Sequence, residues 1–235
     1  MTERWLDEAY ADYHGWKGWG AGRDAEGEVA RAVAELKMAE VAPPARLLEI
    51  GFGDGAFLRR AKALGYDCAG LERSPTSTAV LDGTGIDARA GGPEAFAGRT
   101  FDVIVAFDVF EHIPLPDLGD VLRQLGGLVE PGGRLLARFP NMASPFGLAN
   151  QYGDITHVTG LSPGSFAQVA RMAGFETVKV ANAATILAGG RGVRKLLKPL
   201  SFATRSAIEF VFSFAYYGKV TPLAPSVVVV MRKAA

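Results

Sequence analysis

Short runs of apolar residues alternate along the chain with stretches in which apolar residues recur every three or four positions. The apolar runs predict strands at residues 46–50, 66–71, 85–89, 101–107, 134–139, 175–180 and 226–231. Helical periodicity is clearest in a single apolar face made of Leu118, Val121, Leu122, Leu125 and Leu128. Further helices are predicted at 24–40, 56–64 and 75–82, and from Ser162-Pro163 to Gly174, since a capping serine and a first-turn proline open a helix.

Strands that alternate with helices favour a mainly parallel sheet covered on both faces. Right-handed crossovers then give an α/β, doubly wound sheet with its ligand at the carboxyl ends of the strands. We expect residues 1–40 to form an N-terminal helical cap. Residues 41–235 form the main domain, with a late helical insertion at 183–220.

Composition narrows the class of protein. The 235 residues are 49% hydrophobic and 21% charged, which excludes a disordered chain. Lysine and arginine total 25 and so do aspartate and glutamate, and this zero balance argues against a nucleic-acid partner. One cysteine, Cys68, excludes an internal disulfide and a cysteine-cluster zinc site. Without an apolar leader or an apolar stretch of about 18 residues, we expect a cytoplasmic protein.

A glycine-rich turn follows the first strand, in the segment Glu49-Ile50-Gly51-Phe52-Gly53-Asp54-Gly55. Glycines at such a turn allow positive φ and the close approach of a ligand. A dinucleotide fingerprint would place its third glycine one position later, and no Gly-Lys-Ser/Thr phosphate loop is present. Glu72 ends the second strand, where a carboxylate accepts hydrogen bonds from both hydroxyls of a ribose.

Several motifs together resemble the class I S-adenosylmethionine-dependent methyltransferases. Residues 47–55 are similar to the first motif of that family, and Gly70-Leu71-Glu72 to its acidic second motif. Residues 101–104 and 108–113 resemble the motif of the fourth strand, and 128–133 the entry to the fifth. The resemblance covers roughly residues 30–182, and it implies a seven-stranded, Rossmann-like methyltransferase fold with S-adenosyl-L-methionine as cofactor.

The resemblance also implies which residues hold the methyl donor. Gly51, Gly53 and Gly55 would line its methionine and ribose, and Glu72 would bind the ribose hydroxyls. Glu49 would order the loop or meet the amino group, and Asp108 and Val109 would flank the methionine end. Phe52 and Arg73 complete the expected donor site. The family often has an acid after the third strand for adenine, whereas residues 89–94 read Arg-Ala-Gly-Gly-Pro-Glu, which leaves backbone groups or Glu94 for that role.

Methyl transfer to a hydroxyl needs alignment and a base, and histidine suits the base. Of the three histidines, His157 is our candidate base, with Asp154 orienting its ring. His112 is a second catalytic candidate, although it could instead cap or pack the following helix. A divalent metal held by Asp154, His157 and His112 is an alternative, but their spacing is not a metal signature, so we predict no metal site.

The acceptor is less well defined. Aromatic residues near the N-terminus and polar residues after the fifth strand are the candidate acceptor contacts: Tyr13, His14, Trp16, Asn141 and Tyr152. Residues 139–163 resemble methyltransferases encoded with bacterial surface-polysaccharide enzymes, which implies O-methylation of a small or glycan-type acceptor. Natural products and quinone or lipid precursors stay open, as does a non-catalytic donor-binding protein.

The insertion at 183–220 carries six cations against one acid, Glu209, a net charge of +5. Its second half is rich in aromatic residues between Ile208 and Tyr217. We expect helices packed on the sheet edge or across a homodimer interface. The alternative is a basic amphipathic surface at 191–217 that contacts anionic lipid at the membrane.

Overall fold

One mixed sheet organises the residues that the computed structural model describes, which are 25–73, 75–186 and 193–234. Within these ranges its seven strands are β1 (Arg46–Ile50), β2 (Asp67–Glu72), β3 (Asp87–Ala90), β4 (Phe101–Phe107), β5 (Val129–Pro140), β6 (Phe175–Asn182) and β7 (Ser226–Lys233). Their order is β3-β2-β1-β4-β5-β7-β6. Strands β1 to β5 pair in parallel, and β7 is antiparallel to both of its neighbours.

Helices cover both faces of this sheet. The α-helices within the described ranges are α1 (Ala25–Leu36), α2 (Ala56–Ala63), α3 (Leu115–Leu128), α4 (Leu148–Tyr152), α5 (Pro163–Met172) and α6 (Val193–Tyr217). Short 3₁₀ helices include Pro75–Leu81, Pro93–Phe96 and Phe110–His112. Together with the strand order, this confirms the predicted doubly wound α/β fold.

Alternation along the strands divides the core into two layers. In β4, Val103 and Val105 pack with α1 and α2, while Ile104 and Ala106 face the opposite layer, which contains α3 and α5. Successive side chains of a strand point to opposite faces, so a strand buried on both sides reads as a continuous apolar run. This is why the sequence signal for β4 was strong and its predicted bounds are correct.

Differences from the predicted elements lie mainly at element ends. Strand β5 begins at Val129, five residues before its predicted start, because Val129 already pairs with Phe101. The predicted helix at 75–82 is a 3₁₀ helix, Pro75–Leu81. Ser162 caps α5 as expected, through a reciprocal capping box with Ser165.

The predicted late insertion contains one 25-residue helix, α6, which runs through Pro199. One face of α6 contacts the domain: Glu209 accepts a hydrogen bond from Asn182 at 2.7 Å, and the Ser213 hydroxyl donates to the Thr221 carbonyl at 2.9 Å. No helix among the described residues is both long enough and apolar enough to cross a bilayer.

Candidate functional site

The glycine-rich turn lies at the carboxyl end of β1, between β2 and β4 in the sheet. Gly51, Gly53 and Gly55 all have positive φ, and the Gly51 N–H donates to the Leu71 carbonyl at 2.8 Å. A Cβ atom on Gly51 would lie 2.8 Å from Cγ2 of Val109. Glycine is therefore required at this position both by its backbone angle and by the close approach of the loop after β4.

The Glu72 carboxylate closes the turn from the end of β2. Its Oε2 accepts the Gly53 N–H at 3.1 Å, and its Oε1 accepts the Arg73 N–H at 2.8 Å. Each carboxylate oxygen has two lone pairs, so both retain an acceptor position. This geometry fixes the orientation of Glu72 beside the turn and fits a role in binding vicinal hydroxyls.

Two residues of the turn face inward. Phe52 is buried and packs beneath the turn against Gly70, where a Cβ atom would come within 2.6 Å of its ring. Glu49 is also buried, and its Oε2 has no hydrogen-bond partner among the described residues. Burial raises the pKa of Glu49 well above its usual value, and the charges of Asp54 and Glu72 raise it further.

A buried ion network supports the loop after β4. Arg138 on β5 donates to the Asp108 carboxylate, with Nε 3.1 Å from both oxygens, and to Oε2 of Glu35 at 2.9 Å. Asp108 has a positive φ of 57°, and its N–H donates to the Arg138 carbonyl at 2.9 Å. Burial raises the pKa of Glu35, although Arg138 opposes this shift. The network fixes Asp108 beside the glycine-rich turn.

The predicted adenine region lies after β3. Glu94 is exposed, and its Oε1 accepts the Gly92 N–H at 3.0 Å. Arg89 is paired with Asp87 at 2.7 Å and also lies over the Phe96 ring. Arg89 is thus held within its own strand and the following turn, and Glu94 and the backbone groups of 90–92 remain the adenine candidates.

His157 is almost fully buried in the loop after α4. Its Nδ1 lies 3.0 Å from the Asn150 carbonyl and 3.1 Å from the Gln151 carbonyl, so Nδ1 carries the proton. Its Nε2 lies 3.7 Å from Oδ2 of Asp154 and 4.0 Å from Oε1 of Glu111. The expected proximity of Asp154 and His157 is present, and the role of His157 as base stays a prediction.

His112 lies at the end of a 3₁₀ turn that follows Asp108 and Val109. Its ring is 4.6 Å from the His157 ring, in an edge-on arrangement. The His112 Nδ1 is 3.1 Å from the Thr156 carbonyl, and the Thr156 hydroxyl donates to Asp154 at 2.6 Å. The structure therefore brings both candidate catalytic histidines together with Asp154 and the fully buried Glu111.

The acceptor candidates divide into three groups. Tyr13, His14 and Trp16 lie outside the described residues. Asn141 is buried, and its amide donates to the Pro222 carbonyl at 3.0 Å and accepts from the backbone of Ala143. The Asn141 side chain thus holds β5 to the segment before β7, and its contact with the acceptor stays a prediction. Tyr152 at the end of α4 is exposed, as is Arg73 beside Glu72.

Sequence reasoning assigned no role to three residues of the site: Glu35, Glu111 and Arg138. A signal for Arg138 was present, since it interrupts the apolar run of a buried strand. A buried charge in such a position requires an opposite charge. The sequence signal for a buried role of Glu35 was weaker: it is an acidic residue among the apolar positions of α1.

Comparisons with known proteins identify the family. A family model described as a methyltransferase domain matches residues 21–180. A ubiquinone biosynthesis O-methyltransferase of Azorhizobium caulinodans is 34% identical over 99 residues, which are 39% of this chain and 38% of that protein. One of Burkholderia cenocepacia is 35% identical over 97 residues, 37% of this chain and 41% of that protein. The match thus spans about two fifths of the length of these relatives.

Solved structures share the fold. A SAM-dependent methyltransferase from Archaeoglobus fulgidus superposes with a TM-score of 0.64 at 16% identity, covering 95% of this chain and 99% of that one. The N-methyltransferase NodS of Bradyrhizobium japonicum gives a TM-score of 0.57 at 14% identity, covering 90% and 99%. These likenesses show a shared fold.

Proposed function

This chain belongs to the class I S-adenosylmethionine-dependent methyltransferases, and from that membership we propose that it methylates a hydroxyl oxygen of a small, lipophilic acceptor. The observation that carries the donor half of the proposal is the pairing of Glu72 with the glycine-rich turn. The acceptor half is supported by the names of the O-methyltransferase relatives and by the outward face of α6.

The residues at the carboxyl ends of β1, β2 and β4 fit the donor. Positive-φ glycines leave the backbone of the turn without side chains at these positions, so a ligand can approach it closely, and Glu72 retains acceptor positions beside it. Glu49 has a buried oxygen without a hydrogen-bond partner among the described residues, which suits an amino group arriving with the donor. Asp108, anchored by Arg138, supplies negative charge near the methionine end.

S-Adenosylmethionine, when bound, supplies a methyl group whose bond to sulfur breaks, the electron pair staying on sulfur, as a new bond to the acceptor oxygen forms. The chain must align that oxygen and remove its proton. The polar cluster of Glu111, His112 and His157 follows directly after Asp108 and Val109, and the proton leaves on this side of the site. The exposure of Tyr152 at the end of α4 supports its proposed contact with the acceptor.

The outward face of α6 supports a lipophilic acceptor. Apolar residues at helical spacing face solvent on this helix: Leu197, Leu200, Ile208, Val211 and Phe214. Stacked Phe210 and Phe214 rings, with centroids 6.5 Å apart, extend this face. An exposed apolar face of this kind on a helix beside cationic residues has the pattern of a helix lying at a lipid interface. Lys198, Arg205 and Lys219 add cations that favour anionic lipid.

We therefore place the chain at an anionic membrane surface, where it would reach hydroxylated, lipid-soluble precursors of the quinone type. The glycan-type acceptor stays a prediction, which rests on the sequence resemblance of residues 139–163. A homodimer through the same face of α6 is the competing use of that surface. Neither use requires a membrane-spanning segment.

The test is turnover with defined acceptors. We expect methyl transfer from isotope-labelled S-adenosylmethionine to a polyprenylated phenol in anionic vesicles, and much less to nucleotide-linked sugars. Transfer to the sugars alone would replace the lipophilic acceptor with the glycan type. Donor binding without transfer to any hydroxyl compound in a bacterial lipid or metabolite extract would favour the non-catalytic donor-binding protein.

A further inference from the structure

Glu111, His112 and His157 form a compact cluster just beyond the donor site. One ligand atom from each lies within 4.8 Å of the other two, and Glu111 is fully buried. Ligand atoms held about 2.0–2.2 Å from one tetrahedral ion are roughly 3.3–3.6 Å apart, so these atoms must approach one another by up to about 1.5 Å when an ion binds.

The hydrogen bonds around the cluster prepare both imidazoles as ligands. The His157 Nδ1–H donates to the carbonyls of Asn150 and Gln151, and the His112 Nδ1–H donates to the Thr156 carbonyl. Each ring therefore keeps its lone pair on Nε2. Histidines that bind metals almost always donate their other ring N–H to a backbone carbonyl or a carboxylate, which fixes the tautomer and the ring orientation.

We propose that Glu111, His112 and His157 bind a divalent first-row transition ion such as Mn²⁺, Fe²⁺, Co²⁺ or Zn²⁺. Two imidazole nitrogens and one carboxylate favour these ions over Mg²⁺, which prefers oxygen ligands. Asp154 acts as a positioning residue, because its Oδ1 accepts both the N–H and the hydroxyl of Thr156, whose carbonyl holds His112. Three protein ligands leave further coordination positions open.

The site lies where a metal could act on the acceptor. His112 donates its backbone N–H to the Val109 carbonyl at 3.1 Å, and the Val109 side chain abuts Gly51 of the donor turn. An acceptor hydroxyl that occupies an open position would lose its proton more readily, as metal-bound water does. His157 then serves as a ligand, and the proton passes to solvent or to the buried carboxylates.

A cluster with an imidazolium and no metal is the competing explanation. Two buried carboxylates, Glu111 and Asp154, lie beside two imidazoles, and either a proton or a metal ion can supply the balancing charge. Loss of activity in a His157 variant cannot separate these explanations, because both a base and a ligand would be lost. Metal binding measured without donor or acceptor separates them.

The experiment titrates EDTA-treated, dialysed protein with Co²⁺ and follows the visible absorption of the ion, with Mg²⁺ and Mn²⁺ titrated in parallel by calorimetry. We expect one Co²⁺ per chain, an increase in melting temperature on binding, and weak or no binding of Mg²⁺. Glu111→Gln and His157→Asn should each weaken Co²⁺ binding by at least about tenfold. The matched control, Glu176→Gln, changes a carboxylate that pairs with Arg232 away from the cluster and should bind as wild type does.

Two results would overturn the proposal. The first is that wild-type protein neither binds Co²⁺ or Mn²⁺ nor gains thermal stability from them. The second is that Glu111→Gln and His157→Asn both keep the wild-type affinity for Co²⁺. If the variants do not fold, pulsed electron paramagnetic resonance of the Mn²⁺-loaded wild type tests whether the histidines are ligands. An imidazole bound to Mn²⁺ gives ¹⁴N couplings. The absence of these couplings would exclude His112 and His157 as ligands. S-Adenosylmethionine binding, titrated on the same metal-free protein, tests the proposed donor site separately.

Discussion

Arg138 joins helix α1 to the donor site by donating to Oε2 of Glu35 at 2.9 Å while it also binds the Asp108 carboxylate. Both members of the Arg138–Glu35 pair are buried, with 8% and 0% of their side chains exposed. Glu35 in turn accepts the Ala184 N–H at 2.9 Å, so one carboxylate links α1, β5 and the segment after β6. The position of Asp108 thus depends on a helix distant from it in sequence.

Breaking this pair should cost much stability. Arg138→Met leaves the Glu35 charge buried without its partner, and we expect a loss of about 3–5 kcal/mol in the free energy of unfolding. Urea unfolding at neutral pH measures it. The double variant Arg138→Met/Glu35→Leu should recover part of the loss because the fully buried carboxylate is removed with its partner, leaving only the part-exposed Asp108. Equal stability of the single and double variants would contradict a coupled pair.

Glu72 should contribute directly to donor affinity. Glu72→Ala removes charge-assisted hydrogen bonds worth about 1.5–3 kcal/mol, so calorimetry should find at least roughly tenfold weaker binding of S-adenosylmethionine. Glu176→Ala is a matched control, because Glu176 pairs with Arg232 on the opposite edge of the sheet. Donor affinity unchanged in a folded Glu72→Ala protein would remove Glu72 from the site.

The donor turn should not tolerate a methyl group at Gly51. Gly51→Ala adds backbone strain at a φ of +70° and places Cβ against Val109. Gly83→Ala is the control, since Gly83 has a φ of +72° but no atom within 4 Å of its added Cβ. We expect both variants to lose about 1–2 kcal/mol from the left-handed backbone, and only Gly51→Ala to lose donor binding. Equal effects on donor binding would contradict the crowding argument.

Stability should fall with rising pH through Glu49. Its folded pKa is raised, first by burial and then by Asp54 and Glu72, against the opposing effect of Arg138. An unfolded glutamate ionises near pH 4.3, so above that pH the folded chain retains a proton that the unfolded chain has lost. Stability therefore decreases as pH rises toward the folded pKa.

The measurement is urea unfolding of donor-free protein from about pH 5 to about pH 8. Glu49→Gln cannot ionise and should have a flatter pH profile. The remaining slope has the same sign, because the pKa of Glu35 is also raised by burial. Identical profiles for the two proteins would assign the pH dependence to other groups.

The face of α6 should bind anionic vesicles. We expect the protein to co-sediment with anionic but not neutral vesicles, because each cation near the lipid surface contributes about 1 kcal/mol to the binding free energy. Added salt should weaken this binding by screening the charges. Val211→Ser/Phe214→Ser should abolish binding, and so should the combined change of Arg191, Arg194, Lys195 and Lys198 to Gln. Met172→Ser, which changes an exposed apolar residue on α5, is the control. A dimer in solution without vesicle binding would instead assign this face to self-association.

Much of the donor half of the site was predictable because its signals are local. The turn at 51–55 needs glycine for its backbone angles, and Glu72 ends a strand, so both are visible in a few adjacent residues. Sequence analysis grouped His112 and His157 only as an alternative, with Asp154, and did not include Glu111. His157 lies more than forty residues after Glu111 and His112, and the three meet only because the loops after β4 and β5 share one edge of the sheet.

The same limit applies to the Arg138–Glu35 pair, which spans 103 positions. Sequence patterning identified α1 and β5 but not their contact, because side-chain periodicity carries no information about which distant element supplies a partner. Asn141 shows a different limit, because sequence does not reveal which side-chain groups already have hydrogen-bond partners. Asn141 looked available in sequence, but its amide is occupied by backbone groups of residues 222 and 224.

The place of β7 between β5 and β6 has a consequence for biosynthesis. As the chain leaves the ribosome, β5 and β6 emerge well before their common partner, and they make no hydrogen bonds to each other. The exposed edge of β5, a long strand rich in apolar residues, therefore awaits residues 226–233, and such edges promote aggregation. We expect nascent chains to need shielding at this edge until β7 arrives, which makes completion of the sheet a late, non-local step.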